Sequence, residues 1–420
     1  MSGVRERGEA RERGEAWERG EAWEGGGVRE KGEVEERNEV REKGEVLERR
    51  GVREKSGIPE GVEVRGSQGP GGADLPSVHS LLLRPTPRLS LLLHRRSLRT
   101  AVALLVLLLA LMGLAACVGQ TFVAPGEVWR TVRGQSTPYD LVVNELRVPR
   151  IVLGALVGAA LGLAGALVQT VTRNPLASPD VIGVGHGAAA ATVLALATGA
   201  VASPGAVPLV AVAGGLAAAG LVYVLAWRHG MQPSRFVLTG VGIGVALSAI
   251  VQLYLTDSEL EAAEQVKLWL TGSLNGRGWE QAGPLAVVLL LSLPALVWAG
   301  RAARPLGLDP ETAAALGVRV DRTRLGLTVL GVVLAACATG AAGPIGFVAL
   351  TAPQLARRLT RTPQLPLVSS ALTGAVVLVG ADLAARTLVP PLEVPVGALT
   401  SLVGGPYLLW LLGRGGRRQL

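Results

Sequence analysis

From residue 98 to residue 412 the chain alternates long apolar runs with short polar connections. Most runs approach the roughly 20 residues a helix needs to cross the hydrocarbon core of a bilayer. They predict ten spans, at about 98–119, 150–170, 181–199, 206–227, 236–256, 284–300, 324–342, 344–358, 367–386 and 395–412. The eighth is short and begins at Gly343-Pro344, which predicts a half-helix or a tilted one. The second is the most informative. Arg147 and Arg150 flank a Val-Pro, and about 21 uncharged residues follow. Gly154, Gly158, Gly162 and Ala166 recur at every fourth position, a small-residue stripe that lets another helix come close. The run ends in the polar turn Arg173-Asn174-Pro175-Leu176, and an apolar helix restarts near Val181. The predicted fold class is an all-α polytopic membrane protein.

The first 97 residues do not share this pattern. Residues 4–57 repeat with a period of six, as in RERGEA, WERGEA and REKGEV. A period of six fits neither 3.6 nor 3.5, so no apolar face forms, and recurrent glycine weakens any helix. Residues 1–76, ending in a Gly/Pro/Ser-rich linker, are expected to be a disordered extension. Two readings of the tail stay open: an interaction tail, or a translated nucleotide repeat from an over-long reading frame, the second being favoured. Residues 77–97 mix leucines with arginines and predict a basic segment lying in the membrane interface. Residues 98–420 form the predicted transmembrane domain.

Charge sharpens the picture. Residues 1–66 hold 15 Lys+Arg and 18 Glu; the rest of the chain holds 26 basic and 15 acidic residues. A basic body can point to nucleic acid, but these arginines sit between apolar runs and read as topology signals. With the N-terminus inside, 19 of the 26 fall on inner segments and seven on outer ones. Both termini are therefore expected in the cytoplasm, and the chain in the cytoplasmic membrane with no nucleic-acid partner. Cys117 and Cys337 lie inside apolar runs, and no His or Cys has metal-ligand spacing, so neither a metal nor a cofactor is expected. The body has a single lysine, Lys267, preceded by Val266, which excludes the Gly-Lys-Ser/Thr of a P-loop. If ATP drives this protein, another chain hydrolyses it.

Four groups of residues could carry function. The longest inner connection, Gly300–Arg324, contains Asp309-Pro310-Glu311, a helix start by N-cap and N1 rules, and Gly317, a helix stop. A short exposed helix there suits a partner's groove, or is an ordinary connector. Arg147, Arg150 and Arg386 sit at predicted outer span ends, where arginines also snorkel. Asp382 lies four residues before Arg386, so an intrahelical pair competes with any intramembrane role for that carboxylate. Gly240, Gly244 and Ser248 give the fifth span a face for close helix crossing.

Several of these stretches resemble the FecCD-type family, the permease subunits of ABC importers for iron–siderophores, haem and vitamin B12. The resemblance rests on R-x-P-R at Arg147, the turn RNPLASPDVIG with Asn174 and Pro175, and WLTGSLNGRGW from Trp269. AAGPIGFVALTAPQLARRL, with Gly343 and Pro344, and VPVGALTSLVGGPY, with Gly404 and Pro406, complete it. It covers about residues 98–420 in family order, and Gln354 stands where the family often has His. The resemblance implies a permease rather than an enzyme. Its partners would be ABC ATPase subunits, an extracytoplasmic substrate-binding protein and a second permease copy or homologue. Asp309, Glu311, Ala313, Leu316 and Gly317 would form the coupling loop seated on the ATPase. Arg147, Arg150 and Arg386 would receive glutamates of the binding protein, because guanidinium–carboxylate pairing is bidentate. Gly240, Gly244 and Ser248 would belong to the helix that lines the pathway, forms its gate and meets the second subunit. The implied activity is inward transport of a ferric-siderophore-like chelate by alternating access. Haem or cobalamin is the alternative cargo, and an ion-coupled secondary transporter the alternative mechanism.

Overall fold

A computed structural model describes residues 80–86, 89–119, 121–200, 206–227, 233–362, 366–389 and 392–415. The predicted tail and linker, residues 1–76, lie outside them. The pre-membrane segment contains a hairpin, β1 (Ser80–Thr86) antiparallel to β2 (Leu89–His94), with Leu83 opposite Leu91. Pro85 disfavours a helix there, since it removes a backbone donor and fixes φ.

Every later regular element among the described residues is helical. In order they are α1 (Arg95–Cys117), α2 (Pro125–Val132), α3 (Val148–Thr172), α4 (Val184–Ala197) and α5 (Val207–Ala226). Then come α6 (Pro233–Asp257), α7 (Leu260–Leu270), α8 (Trp279–Ala302), α9 (Pro310–Ala315) and α10 (Val320–Ala342). The last three are α11 (Val348–Thr360), α12 (Leu367–Thr387) and α13 (Val396–Gly415). Helices lie at all ten predicted ranges. By length and composition seven can cross a membrane: α1, α3 with the π-helical turn Leu141–Arg147 before it, α5, α6, α8, α10 and α12. α4 and the apolar part of α13 are shorter. α11 has only 13 residues and starts at Val348, because Gly343 (φ 78°) and Phe347 (φ 66°) keep the intervening backbone out of the helix.

The small-residue stripe of α3 determines the packing. α3 stands against α8, α10, α11 and α12, and 78% of its apolar window is buried, against 22% for α6 and 17% for α8. A Cβ at Gly158 or Gly162 would overlap the carbonyls of Gly374 and Ser370 on α12, and one at Gly165 that of Ala349 on α11. Without side chains there, the backbones come into direct contact, the usual route to helix association where lipid is as apolar as leucine. α6 and α8 keep Val241, Val245, Leu253, Leu290 and Leu291 exposed, as helices facing lipid or another subunit would.

Candidate functional site

The Arg147 end of the bundle holds a buried ionic cluster. Arg147, Arg150, Asp382 and Arg386 are 6, 9, 3 and 8% exposed. Arg147 donates to the carbonyls of Ala116 (2.8 Å) and Cys117 (3.1 Å) and to that of Thr121. It therefore places a cation on the orphan carbonyls at the C-terminus of α1, where the helix dipole favours it. Arg150 spends Nε and one terminal nitrogen on Asp382 (3.0 and 2.9 Å) and the other on Glu393 (2.9 Å). Arg386 pairs with the second Asp382 oxygen at 3.2 Å, one turn along α12. The intrahelical pair weighed for Asp382 is present, with Arg150 added from another helix. Bare arginines at span ends are not what forms here: all three are committed to the chain's own carbonyls and carboxylates. Exposed cations at this end include Arg130, paired with Glu127, and Arg133, stacked 4.4 Å over Trp129, both on or beside α2. Sequence reasoning gave these two only a topological meaning.

Three motifs far apart in sequence meet at one joint. Ser273 N–H donates to Ala342 O (2.9 Å), and Gly397 N–H donates to Gly272 O (3.0 Å). Gly272 (φ 69°) stands so close to Pro344 that a Cβ would overlap the Pro344 carbonyl. Gly404 leaves room for the ring of Phe347. The motifs at Trp269, Gly343 and Val396 thus form one backbone joint that steers Pro344–Phe347 beside α6 and α4. Pro406 lies inside α13.

At the opposite end of α3 the predicted short helix forms. The Asp309 side chain accepts from Glu311 N–H at 3.2 Å, Pro310 opens α9, and Gly317 (φ 81°) follows its C-terminus. Ala313 is buried, Glu311 is exposed, and Leu316 is 66% exposed, an apolar knob in a polar loop. Arg173, read from sequence as a topology signal, holds this loop: its Nε donates to Leu306 O (3.2 Å) and a terminal nitrogen to Leu308 O. Asn174 closes the adjacent turn by accepting from Leu176 N–H at 2.9 Å, and Pro175 follows in that turn.

The Gly240–Gly244–Ser248 face of α6 is used inside the subunit. The Gly240 carbonyl lies near Gly183, and Gly244 faces His186 of α4, whose Nδ1 would be 3.2 Å from a Cβ there. Ser248 lines an open-mouthed cavity of about 460 Å³ with walls from α4, α6, α7, α11 and the 3-10 turn Pro179–Ile182. Its polar wall is Ser178, Asp180, His186, Ser248 and Gln252. Asp180 keeps some accessible surface because it faces the cavity, while protein surrounds it. Asp180 and His186 were missed in the sequence because they sit inside a family-like turn and a short apolar helix, with no spacing to mark them.

The pattern of the FecCD transport family matches residues 105–414. The chain belongs to this family. The ferric enterobactin transport system permease protein FepG of Escherichia coli K12 is 38% identical over 279 residues, which is 66% of this chain and 84% of that one. The achromobactin transport system permease protein CbrC of Dickeya dadantii 3937 is 42% identical over 317 residues, covering 75% and 90%. A solved structure described as an inward-facing conformation of a metal-chelate type ABC transporter aligns with a TM-score of 0.66 at 29% identity, covering 75% of this chain and 99% of that one. This FecCD protein is accordingly a transport permease, not an enzyme, and a multi-pass protein of the inner membrane with a polytopic ABC permease fold.

Proposed function

We propose that this FecCD subunit forms half of the membrane pore of an ABC importer and passes a ferric-siderophore-like chelate inward by alternating access. A second copy or a homologue completes the pore against the exposed apolar faces of its helices. ATPase subunits dock on the α9 loop, with Leu316 as the apolar knob and Asp309, Glu311, Ala313 and Gly317 shaping the loop that carries it. The binding protein docks at the Arg147 end. There a partner carboxylate reaches Arg150 by displacing Glu393, whose side chain is 24% exposed. The chain crosses the membrane ten times with both termini in the cytoplasm, and transport does not require residues 1–76. The observation that carries this reading is the family match across residues 105–414. The relatives named for ferric enterobactin and achromobactin favour an iron–siderophore cargo over haem or cobalamin. Pairing of Asp382 with two arginines leaves the ion-coupled alternative without the carboxylate that prompted it.

The test is uptake of labelled ferric siderophores, haem and cobalamin in a deletion strain supplied with the full chain or a chain starting near residue 90. Uptake of one ligand by both, abolished when ATP is depleted, is expected. Uptake that survives ATP depletion while a proton gradient is kept sinks the reading.

A further inference from the structure

The cavity beside α6 has a role that the reading above leaves open. Its depth follows from the length of α4. Fourteen residues rise about 21 Å, roughly 9 Å short of a hydrocarbon core of about 30 Å. The chain between Thr172 and Val184 is tucked into the protein, with Ala177 and Ile182 3 and 1% exposed, and its 3-10 turn carries Ser178 and Asp180 to the cavity wall. Irregular backbone at such depth is tolerated where it is buried in protein or lines a polar space. The glycines nearby leave room for the polar groups. A Cβ at Gly185 would stand 3.3 Å from Asp180 Oδ1, and one at Gly244 would stand 3.2 Å from the His186 ring. Side chains at these positions would crowd the carboxylate and the imidazole.

The lining is also one-sided in its chemistry. It offers a carboxylate, an imidazole, two hydroxyls and an amide, while no lysine or arginine lines it among the described residues. A half-buried carboxylate that faces a cavity with no cation in its wall favours a ligand that brings proton donors. A volume near 460 Å³ suits one face of a drug-sized molecule, and the remaining wall, with Phe347 and Leu350, is apolar.

We propose that this cavity is a cargo subsite in which Asp180 and His186 contact the proton-donating periphery of the iron chelate, its hydroxyl, amide or ammonium groups, during passage. The proposal rests on the importer reading above and adds the place and chemistry of cargo contact. Ser248 marks where α6 meets that cargo, which gives its small-residue face a purpose besides helix packing.

The experiment uses the assembled importer with its ATPase and binding protein in proteoliposomes. The probes are a ferric trihydroxamate with a terminal ammonium, ferric citrate, a ferric tricatecholate and haemin. Ser248→Cys supplies a thiol in the cavity wall, and Val241→Cys one on the exposed face of α6. During turnover with whichever probe is taken up, maleimide labelling at position 248 is expected to slow at least about fivefold, with no change at 241. Asp180→Asn, which keeps size and shape, is expected to remove that protection and raise the half-saturating cargo concentration about tenfold, the scale of one charge-assisted hydrogen bond. His186→Ala, which leaves the carboxylate in place, should weaken both effects in the same direction. Uptake with unprotected position 248, or unchanged half-saturation in both variants, overturns the subsite and leaves the importer reading standing. Failure of the unaltered importer to take up any probe refutes the importer reading, and the subsite with it.

Discussion

Truncating Arg150 separates a structural from a docking role for the buried arginines. In Arg150→Ala, Asp382 keeps only Arg386, whose Nε lies 3.2 Å away without hydrogen-bond geometry. Asp382 is 3% exposed, so water cannot take over from the two lost hydrogen bonds. Breaking a buried pair by removing one partner costs about 3–5 kcal/mol, because a charge is left uncompensated. Glu393 is more exposed, and losing its bond adds no more than about 1 kcal/mol. The expected loss is therefore about 3–5 kcal/mol, read from unfolding of the purified subunit in mixed micelles. Arg150→Met combined with Asp382→Leu and Arg386→Met should recover much of it, because the apolar triad leaves no deeply buried charge and Glu393 is 24% exposed. If Arg150→Ala unfolds like the unaltered chain and only its affinity for the binding protein falls, the structural reasoning is wrong.

Four further outcomes are expected. Gly158→Leu should abolish recovery of monodisperse protein, because its side chain would run into the Gly374 backbone, whereas Gly113→Ala, with nothing within 4 Å, should be neutral by the same measurement. Arg173→Ala frees the Leu306 and Leu308 carbonyls and should cut ATP-driven uptake about tenfold while the subunit still inserts, measured as uptake per inserted copy. Gly317→Pro cannot adopt φ 81° and should uncouple uptake from ATP hydrolysis, measured as cargo moved per ATP in the reconstituted importer. Leu316→Asp should leave folding intact, since the side chain is 66% exposed, yet abolish co-purification of the ATPase.

Much of this was legible in the sequence for definite reasons. Helix positions followed from apolar run length, and α9 followed from Asp309, Pro310 and Gly317, whose cap chemistry is local. The α3 stripe was legible because four-residue spacing always puts small residues on one face. Which helix fills that face was not. Asp180 and His186 could not be found, because a carboxylate in a turn and a lone histidine carry no signal until a third element closes over them. Arg173 looked like any inner arginine until a loop more than 130 residues later came within its reach.

The sequence by itself determined the long apolar helices and α9, the absence of a P-loop and the motifs of the family, but not the β1–β2 hairpin, α2 or α7. Each depends on residues close together in the chain, where run length, caps and spacing act directly. Only the tertiary structure decided what the charged and small residues do. It buried all three arginines expected at outer span ends, Arg147 on the carbonyls of Ala116, Cys117 and Thr121, Arg150 on Asp382 and Glu393, and Arg386 on Asp382. It turned the Gly240–Gly244–Ser248 face inward onto His186 and a cavity. Burial and pairing depend on which helices cross, and that is set by backbone contacts such as Gly158 with Gly374, between residues more than 200 positions apart.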